Sequence, residues 1–447
     1  MRRLDLCVVA ILMGFLAGCQ RPEGSAVSVA TNAEEARPPA APARSFTPPK
    51  QSASADDLKK LALANTAFAL DLYKALKDEK QLFVSPYSVS TALAMLYAGA
   101  RSDTADEIAK ALHFGWPPAQ LPDVYANLIW NQLGGRKNSV MIEKVQDGKL
   151  VKFKPAYQWH DANAVWARRG AAFRPEYLEL MKRCFAAELR QADFGDPASA
   201  LEITRWIAAH TQHKIPDLKI QTDRSTQLVL VNAVYFKADW LQPFLPSRTY
   251  PEAFRLTGTE KADVPMMHGA QSAYRYLAHD AFEMLELPYY GDASMLVLLP
   301  RKVGLADLDR QLNAENLTAW LAKMHQQAAH VTFPKLELRQ ELNLNEALQA
   351  LGMKRAFDPA ADFSGIISAE ALFVSRVVHA TYLKLDEQGT EAAATTVVEA
   401  KKEAAPPDPE VPINFRVDRP FVLIIRDNLT GSVLFLGRIT DPRGRPA

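Results

Sequence analysis

DEQGTEAAATTVVEAKKE, residues Asp386 to Glu403, is the stretch on which the fold is decided. Between Gly389 and Val398 the only charge is Glu391; the rest is Thr, Ala and Val. With a period of two, Thr390, Ala392, Ala394, Thr396, Val398 and Ala400 share one face, all small or β-branched and uncharged. Glu391, Ala393, Thr395, Val397, Glu399 and Lys401 share the other. A strand buries one face and wets the other, so the segment is fit to enter a sheet with Thr390 to Ala400 inward. Yet AAPPDPEVP follows, and a proline-rich run cannot continue a central strand. Fit for a buried strand and tethered like an exposed loop, the segment suits two destinations. Its alanines also suit an ordinary helix or linker, so the rest of the chain must decide.

A chain of 447 residues with 48% hydrophobic content can bury a sizeable core. A net charge of +1 gives no global pull toward nucleic acid, and no basic stripe appears. Arg2 and Arg3 precede the apolar run Leu6–Leu16, which is too short to span a membrane as a helix. That run ends in Leu16-Ala17-Gly18-Cys19, which resembles the bacterial lipobox. The resemblance implies a signal peptide over 1–18 and a diacylglyceryl group on Cys19, an anchor to a membrane. A plain signal peptide or an uncleaved apolar anchor are the alternatives. In a diderm cell, Gln20 after Cys19 implies the outer membrane of the cell envelope, periplasmic or surface face, rather than the inner one. Cys184 is then the only remaining thiol, expected as a small buried apolar residue with no disulfide.

Residues 19–55 are rich in Ala, Pro, Ser and Glu without apolar periodicity, and predict a disordered tether. A folded domain is expected over 56–447. Leu58, Leu61, Phe68, Leu72 and Leu76 repeat at helical spacing. Pro86 suits a helix start, Ser88 its cap and Gly99 its stop. Strand-like runs at Leu228–Phe236 and Met295–Leu299 mix with these helical periods, so the fold class is α+β.

Several segments in order resemble the serpin family: Phe83-Val84-Ser85-Pro86-Tyr87-Ser88-Val89, then Gly99-Ala100-Arg101, then Asn163-Ala164-Val165-Trp166. LVLVNAVYFKADWLQPF (Leu228–Phe244), Val264-Pro265-Met266-Met267, LELPYYGDASMLVLLP (Leu285–Pro300), Asp362-Phe363-Ser364-Gly365, Asp418-Arg419-Pro420-Phe421 and Leu434-Phe435-Leu436-Gly437-Arg438 continue it. The resemblance implies a serpin fold: three β-sheets, eight to nine helices, and an exposed reactive-centre loop at about 387–412 able to join the central sheet as an extra strand.

The implied activity is suicide inhibition of a serine or cysteine protease as a covalent acyl-enzyme complex, by a monomer without cofactor or metal. There is no GxSxG elbow, HExxH, paired CxxC or phosphate-binding glycine loop to support an enzyme. By family spacing, the scissile bond follows Lys402, Glu403 or Ala404. The hinge comprises Glu387, Gly389, Thr390, Glu391, Ala392, Ala393, Ala394, Thr395 and Thr396; Gly389 supplies a permissive pivot, and the small residues enter without overpacking. Ser85, Ser88, Asn232 and His379 match the family's shutter, and Trp240 its breach. The alternative is a non-inhibitory serpin acting as a binding or chaperone-like module. Three departures from the pattern are a loop from Gly389 to Pro420 longer than in many relatives, an extra hairpin at about 138–161, and His213, where many relatives have glycine; the last is expected to matter little.

Overall fold

The computed structural model describes residues 49, 52–130, 141–146, 149–155, 157–368, 371–390 and 411–444, with the side chains of 141–162 left aside. The described chain opens with helix α1 (Ala55–Ala75), strand β1 (Leu82–Val84) and helices α2 (Pro86–Gly99), α3 (Ser102–Ala111) and α4 (Leu121–Ile129). Strands β2 (Met141–Gln146), β3 (Lys149–Pro155) and β4 (Tyr157–Arg168) follow, then α5 (Pro175–Leu180), β5 (Glu188–Ala192), α6 (Pro197–His210) and β6 (Leu228–Asp239). Next come β7 (Thr249–Arg255), β8 (Lys261–His268), β9 (Ser272–Ala278), β10 (Phe282–Pro288) and β11 (Ala293–Pro300), and helices α7 (Ala306–Gln311) and α8 (Ala314–Lys323). The remainder is β12 (His325–Pro334), β13 (Leu336–Asn343), α9 (Asn345–Ala350), β14 (Val374–Leu385), β15 (Gly389–Thr390), β16 (Ile413–Arg416), β17 (Phe421–Asp427) and β18 (Val433–Ile439).

Local chemistry sets the helix starts. The Ser54 hydroxyl accepts from the Asp57 amide at 3.0 Å while the Asp57 carboxylate accepts from the Ser54 amide at 3.3 Å, a reciprocal cap that begins α1. Leu61, Phe68 and Leu72 then bury one face of α1. Helix α2 is buried on every side, so it is a central helix rather than an amphipathic one. Its cap is Ser85, whose hydroxyl accepts from the Ser88 amide, with Pro86 as the first helical residue. The cap expected at Ser88 is thus one turn too late; the Ser88 hydroxyl points instead into a polar cluster under the central sheet.

That sheet has six strands in the order β13-β14-β15-β6-β4-β5. One face presents Val229, Val231, Ala233 and Tyr235 of β6 with Val378, Ala380 and Tyr382 of β14, packed with Ile203, Trp206 and Ile207 of α6. The alternate residues, Leu230, Val234, Phe236, Val377, Leu383 and Leu385, join the main core. The remaining strands form a ten-strand ladder, β1-β18-β17-β11-β10-β9-β12-β8-β7 with β16 paired to β12. The two smaller sheets implied by the sequence therefore run on as one, joined where β9 pairs with β12. The expected insertion is a hairpin, with β2 and β3 antiparallel as a two-strand sheet of their own. Among the described residues nine α-helices and these strands make an α+β fold.

His213 has a reason to be glycine. It lies just past α6 with φ +57° and donates its amide to the Ala208 carbonyl at 2.8 Å, closing the helix in the left-handed region. A side chain there carries strain, so the departure matters more than its sequence position suggests.

Candidate functional site

The site is the boundary between β14 and β6, which are parallel neighbours. They pair directly from Val374↔Leu228 to Tyr382↔Tyr235. Above Tyr382 they part, and β15 lies between them, antiparallel to both: Thr390 pairs with Leu385 on one side and Ala238 on the other, and Gly389 with Asp239.

A tight turn delivers β15 to this position. The Gly389 amide donates to the Asp386 carbonyl at 3.2 Å and the Asp386 amide to the Gly389 carbonyl at 2.9 Å. Glycine is required: with φ +153°, a Cβ on residue 389 would lie 2.0 Å from the Ala238 carbonyl oxygen. Thr390 is fully buried, its hydroxyl 2.8 Å from that of Tyr289. The Trp240 indole N–H donates to the Asp386 carbonyl at 3.0 Å and its amide to the Gln388 carbonyl at 2.8 Å. Its ring stacks on Tyr289 at 4.5 Å and 8°, worth about 1 kcal/mol beyond the area buried. Lys335 donates to both carboxylate oxygens of Glu387, at 3.2 and 2.9 Å. Burial, the largest single influence, pushes the Glu387 carboxyl up, but the hydrogen bonds from Lys335, Thr249 and the backbone, with the Lys335 charge, together outweigh it and hold the group below its ordinary value. Burial holds its neighbour Asp386 above the ordinary value.

Gly389 and Thr390 are therefore buried inside the sheet and Glu387 in the turn that leads into it, and the expectation of an exposed loop beginning at Glu387 is corrected. The physical cause is the pairing of β15 on both edges, which satisfies backbone groups that a loop would offer to water.

Lower down, the predicted shutter residues meet. The Ser85 amide donates to His379 Nε2 at 2.9 Å, which leaves the ring proton on Nδ1 to donate to the Asn232 side-chain oxygen. Asn232 Nδ2 donates in turn to the Ser88 hydroxyl and to the Asn163 side-chain oxygen. The Ser85 hydroxyl donates to the Leu434 carbonyl at 2.7 Å. His379 is buried and paired in register with Asn232, so its bond to Asn232 crosses the β14–β6 boundary. Desolvation lowers its pKa from 6.5 to about 3, and the ring is neutral.

The structure thus brings Ser85, Ser88, Asn232 and His379 into one cluster and places Trp240, Glu387, Gly389 and Thr390 in another. The hinge residues Glu391, Ala392, Ala393, Ala394, Thr395 and Thr396, the scissile candidates Lys402, Glu403 and Ala404, and Cys19 lie outside the described residues. Sequence reasoning missed Asn163, Tyr289 and Lys335. Asn163 was within reach, since it opens the Asn163–Trp166 motif and pairs with Asn232. Cys184 is buried, as expected.

Comparison with known proteins agrees with this architecture. The model of the serpin (serine protease inhibitor) family matches residues 63–442. A serpin-like protein of Thermococcus kodakarensis is 36% identical over 390 residues, 86% of each chain. The leukocyte elastase inhibitor of Homo sapiens is 33% identical over 402 residues, 86% of this chain and 100% of that one. Among solved structures, human thyroxine-binding globulin complexed with thyroxine superposes with a TM-score of 0.75 at 27% identity, covering 87% of this chain and 100% of that one. The fold with its β14–β6 slot is that of a serpin. This chain belongs to the serpin (serine protease inhibitor) family.

Proposed function

We propose that the chain is a suicide-type inhibitor of serine or cysteine endopeptidases, trapping the acyl-enzyme as the cleaved loop inserts between β14 and β6. The observation that carries this reading is β15, which already occupies the top of that boundary in the antiparallel sense an inserted strand needs. Continuing its register one residue at a time assigns each loop residue a pair of neighbours. Ala392 falls beside Leu383 and Phe236, Ala394 beside Thr381 and Val234, and Thr396 between His379 and Asn232. On the α6 side, Ala393 falls between Tyr382 and Tyr235, whose rings are now 6.1 Å apart, Thr395 between Ala380 and Ala233, and Val397 between Val378 and Val231. The small Ala393 meets the two bulky tyrosines and the larger Thr395 meets two alanines, as close packing demands.

Insertion separates β14 from β6 and breaks the His379–Asn232 bond, after which the Thr396 hydroxyl supplies a partner at that level. The protease attacks after Lys402, Glu403 or Ala404 and forms an acyl-enzyme. Carried along by the inserting loop, it loses the alignment that deacylation requires. The partner is thus a serine or cysteine protease, met by a monomer. Leu16-Ala17-Gly18-Cys19 supports anchoring of a bacterial-type lipoprotein through the Cys19 lipid, in the cell envelope. Mass spectrometry of the mature N-terminus tests the anchor: a diacylglyceryl-Cys19 peptide is expected, and a free Cys19 thiol contradicts it.

Inhibition is tested by incubating the domain from Ser52 onward with trypsin, a glutamate-specific protease, an elastase and a papain-like enzyme. A covalent band that survives denaturing electrophoresis is expected with at least one, and the released peptide's first residue identifies the scissile bond. Cleavage near Lys402 with no covalent band, and no gain in melting temperature, would overturn inhibition in favour of a binding or chaperone-like module.

A further inference from the structure

We infer that the slot carries a charge register. Lys237 and Lys384 at its upper end and Arg376 at its lower end receive the carboxylates of Glu391 and Glu399, and so fix how far and in which register the loop inserts. This inference rests on the insertion reading above.

The three cations lie on the two strands that flank the slot. Lys384 on β14 and Lys237 on β6 are each one residue beyond the pairs that Thr390 makes with Leu385 and Ala238. By alternation they share the face of Tyr382 and Tyr235, toward α6. Eight positions further down β14, on the same face as Val378 and Ala380, stands Arg376, paired with Val229. All three are half-buried, and among the described residues none has a carboxylate within ion-pair distance. The carboxylates nearest in register are already engaged. Glu337, paired with Lys384 from the β13 side, accepts the Tyr382 hydroxyl at 3.0 Å. Arg376 lines a cavity of about 410 Å³ with Asp223, but that carboxylate accepts from the Ser225 amide at 2.8 Å and from its hydroxyl at 2.5 Å.

The sequence of this chain's own segment supplies the complement. From Gly389 to Ala400 the only charges are Glu391 and Glu399. The register of β15 assigns Glu391 to the position between Lys384 and Lys237, and Glu399 to the position between Arg376 and Val229. The spacing of the two acids matches the spacing of Lys384 and Arg376 along β14. A slip of one residue turns both acids toward the apolar core, where an unpaired carboxylate is strongly disfavoured. A slip of two leaves both acids on the right face and removes both pairings. Lys237 and Lys384 stand on opposite edges of the slot with like charge, and Glu391, the first new residue to enter, brings the opposite charge between them.

The test compares the wild type with Lys237→Glu/Lys384→Glu, with the neutral pair Lys237→Gln/Lys384→Gln, and with the charge reversal rescued by Glu391→Lys. Each is incubated with the protease that traps the wild type, and the fraction forming covalent complex is measured against the fraction merely cleaved. Reversal is expected to raise the cleaved-to-trapped ratio by about threefold to tenfold, the neutral pair by less, and Glu391→Lys to restore it, as half-exposed pairs warrant. For the lower end, the rise in melting temperature on cleavage is expected to shrink in Arg376→Glu and to return with Glu399→Lys, a readout independent of protease recognition near the scissile bond. Unchanged ratios in both lysine variants, or reversal without rescue, overturn the register while leaving wild-type trapping intact. A wild type that neither traps a protease nor gains stability on cleavage overturns the insertion reading itself, and the register with it.

Discussion

The two ends of the β14–β6 slot are built from the same pair of strands and held by different physics. At the top the strands are already apart, bridged by β15, and the arrangement is kept by the Lys335–Glu387 ion pair and the Trp240–Tyr289 stack. At the shutter they pair directly, and a neutral buried histidine spans them to Asn232. On the proposed insertion, the contrast puts the start of opening at the top and the resistance to it at the lower end. The top is an ionic clip with Lys335 partly in water; the lower end is a fully buried network that tolerates no charge.

Breaking the lower end should have the larger effect. His379→Ala leaves the Ser85 amide and the Asn232 side-chain oxygen without partners and opens a cavity, so a loss of about 3 kcal/mol is expected in denaturant unfolding. Acid acts on the same group. The native His379 pKa is depressed from 6.5 to about 3, so the unfolded chain binds the proton first as pH falls. The stability this neutral ring contributes is complete above pH 6.5 and declines as pH drops toward 3, by about 1.4 kcal/mol per unit. Between pH 7 and pH 5 that amounts to about 2 kcal/mol, and a His379→Gln variant should lose this component of the slope.

The upper clip answers to a different window. Glu387 lies below its ordinary value of 4.5, so its contribution persists above that value and is lost only as pH falls through the lower native one. Melting curves from pH 7 to 5 should therefore weaken the lower latch and spare the clip. Glu387→Gln leaves Lys335 without its counter-ion; with Lys335 36% exposed, a loss of about 1 kcal/mol is expected. The smallest effect serves as a control away from the slot: His213→Gly relieves the left-handed strain after α6 and should add about 0.5 kcal/mol without altering the pH slope.

Much of this site could be read from the sequence because its demands are local. Gly389 stands out where only glycine allows close approach, and the alternation from Thr390 onward is that of a strand with one buried face. Ser85, Ser88, Asn232, His379 and Trp240 fall within segments resembling the family. Partners supplied from a distance stayed hidden: nothing near Lys335 signals a clip to Glu387, and nothing near Tyr289 signals a hydroxyl bonded to Thr390. Ser85 and Ser88 both satisfy the rule for a helix cap, and only the bond from Asn232 to the Ser88 hydroxyl shows which of them does other work. The strain at His213 escaped notice because a positive φ belongs to the helix ending, not to the residue type.

The central claim is that β14 and β6 separate to admit the loop. It is tested most directly by hydrogen–deuterium exchange of the Leu230–Tyr235 and Val378–Tyr382 amides, compared before and after cleavage of the loop. The account predicts that these amides exchange far more slowly once the loop is cut, because each strand then pairs with a new central neighbour. Unchanged protection in cleaved protein would mean that the slot stays shut, and would contradict it.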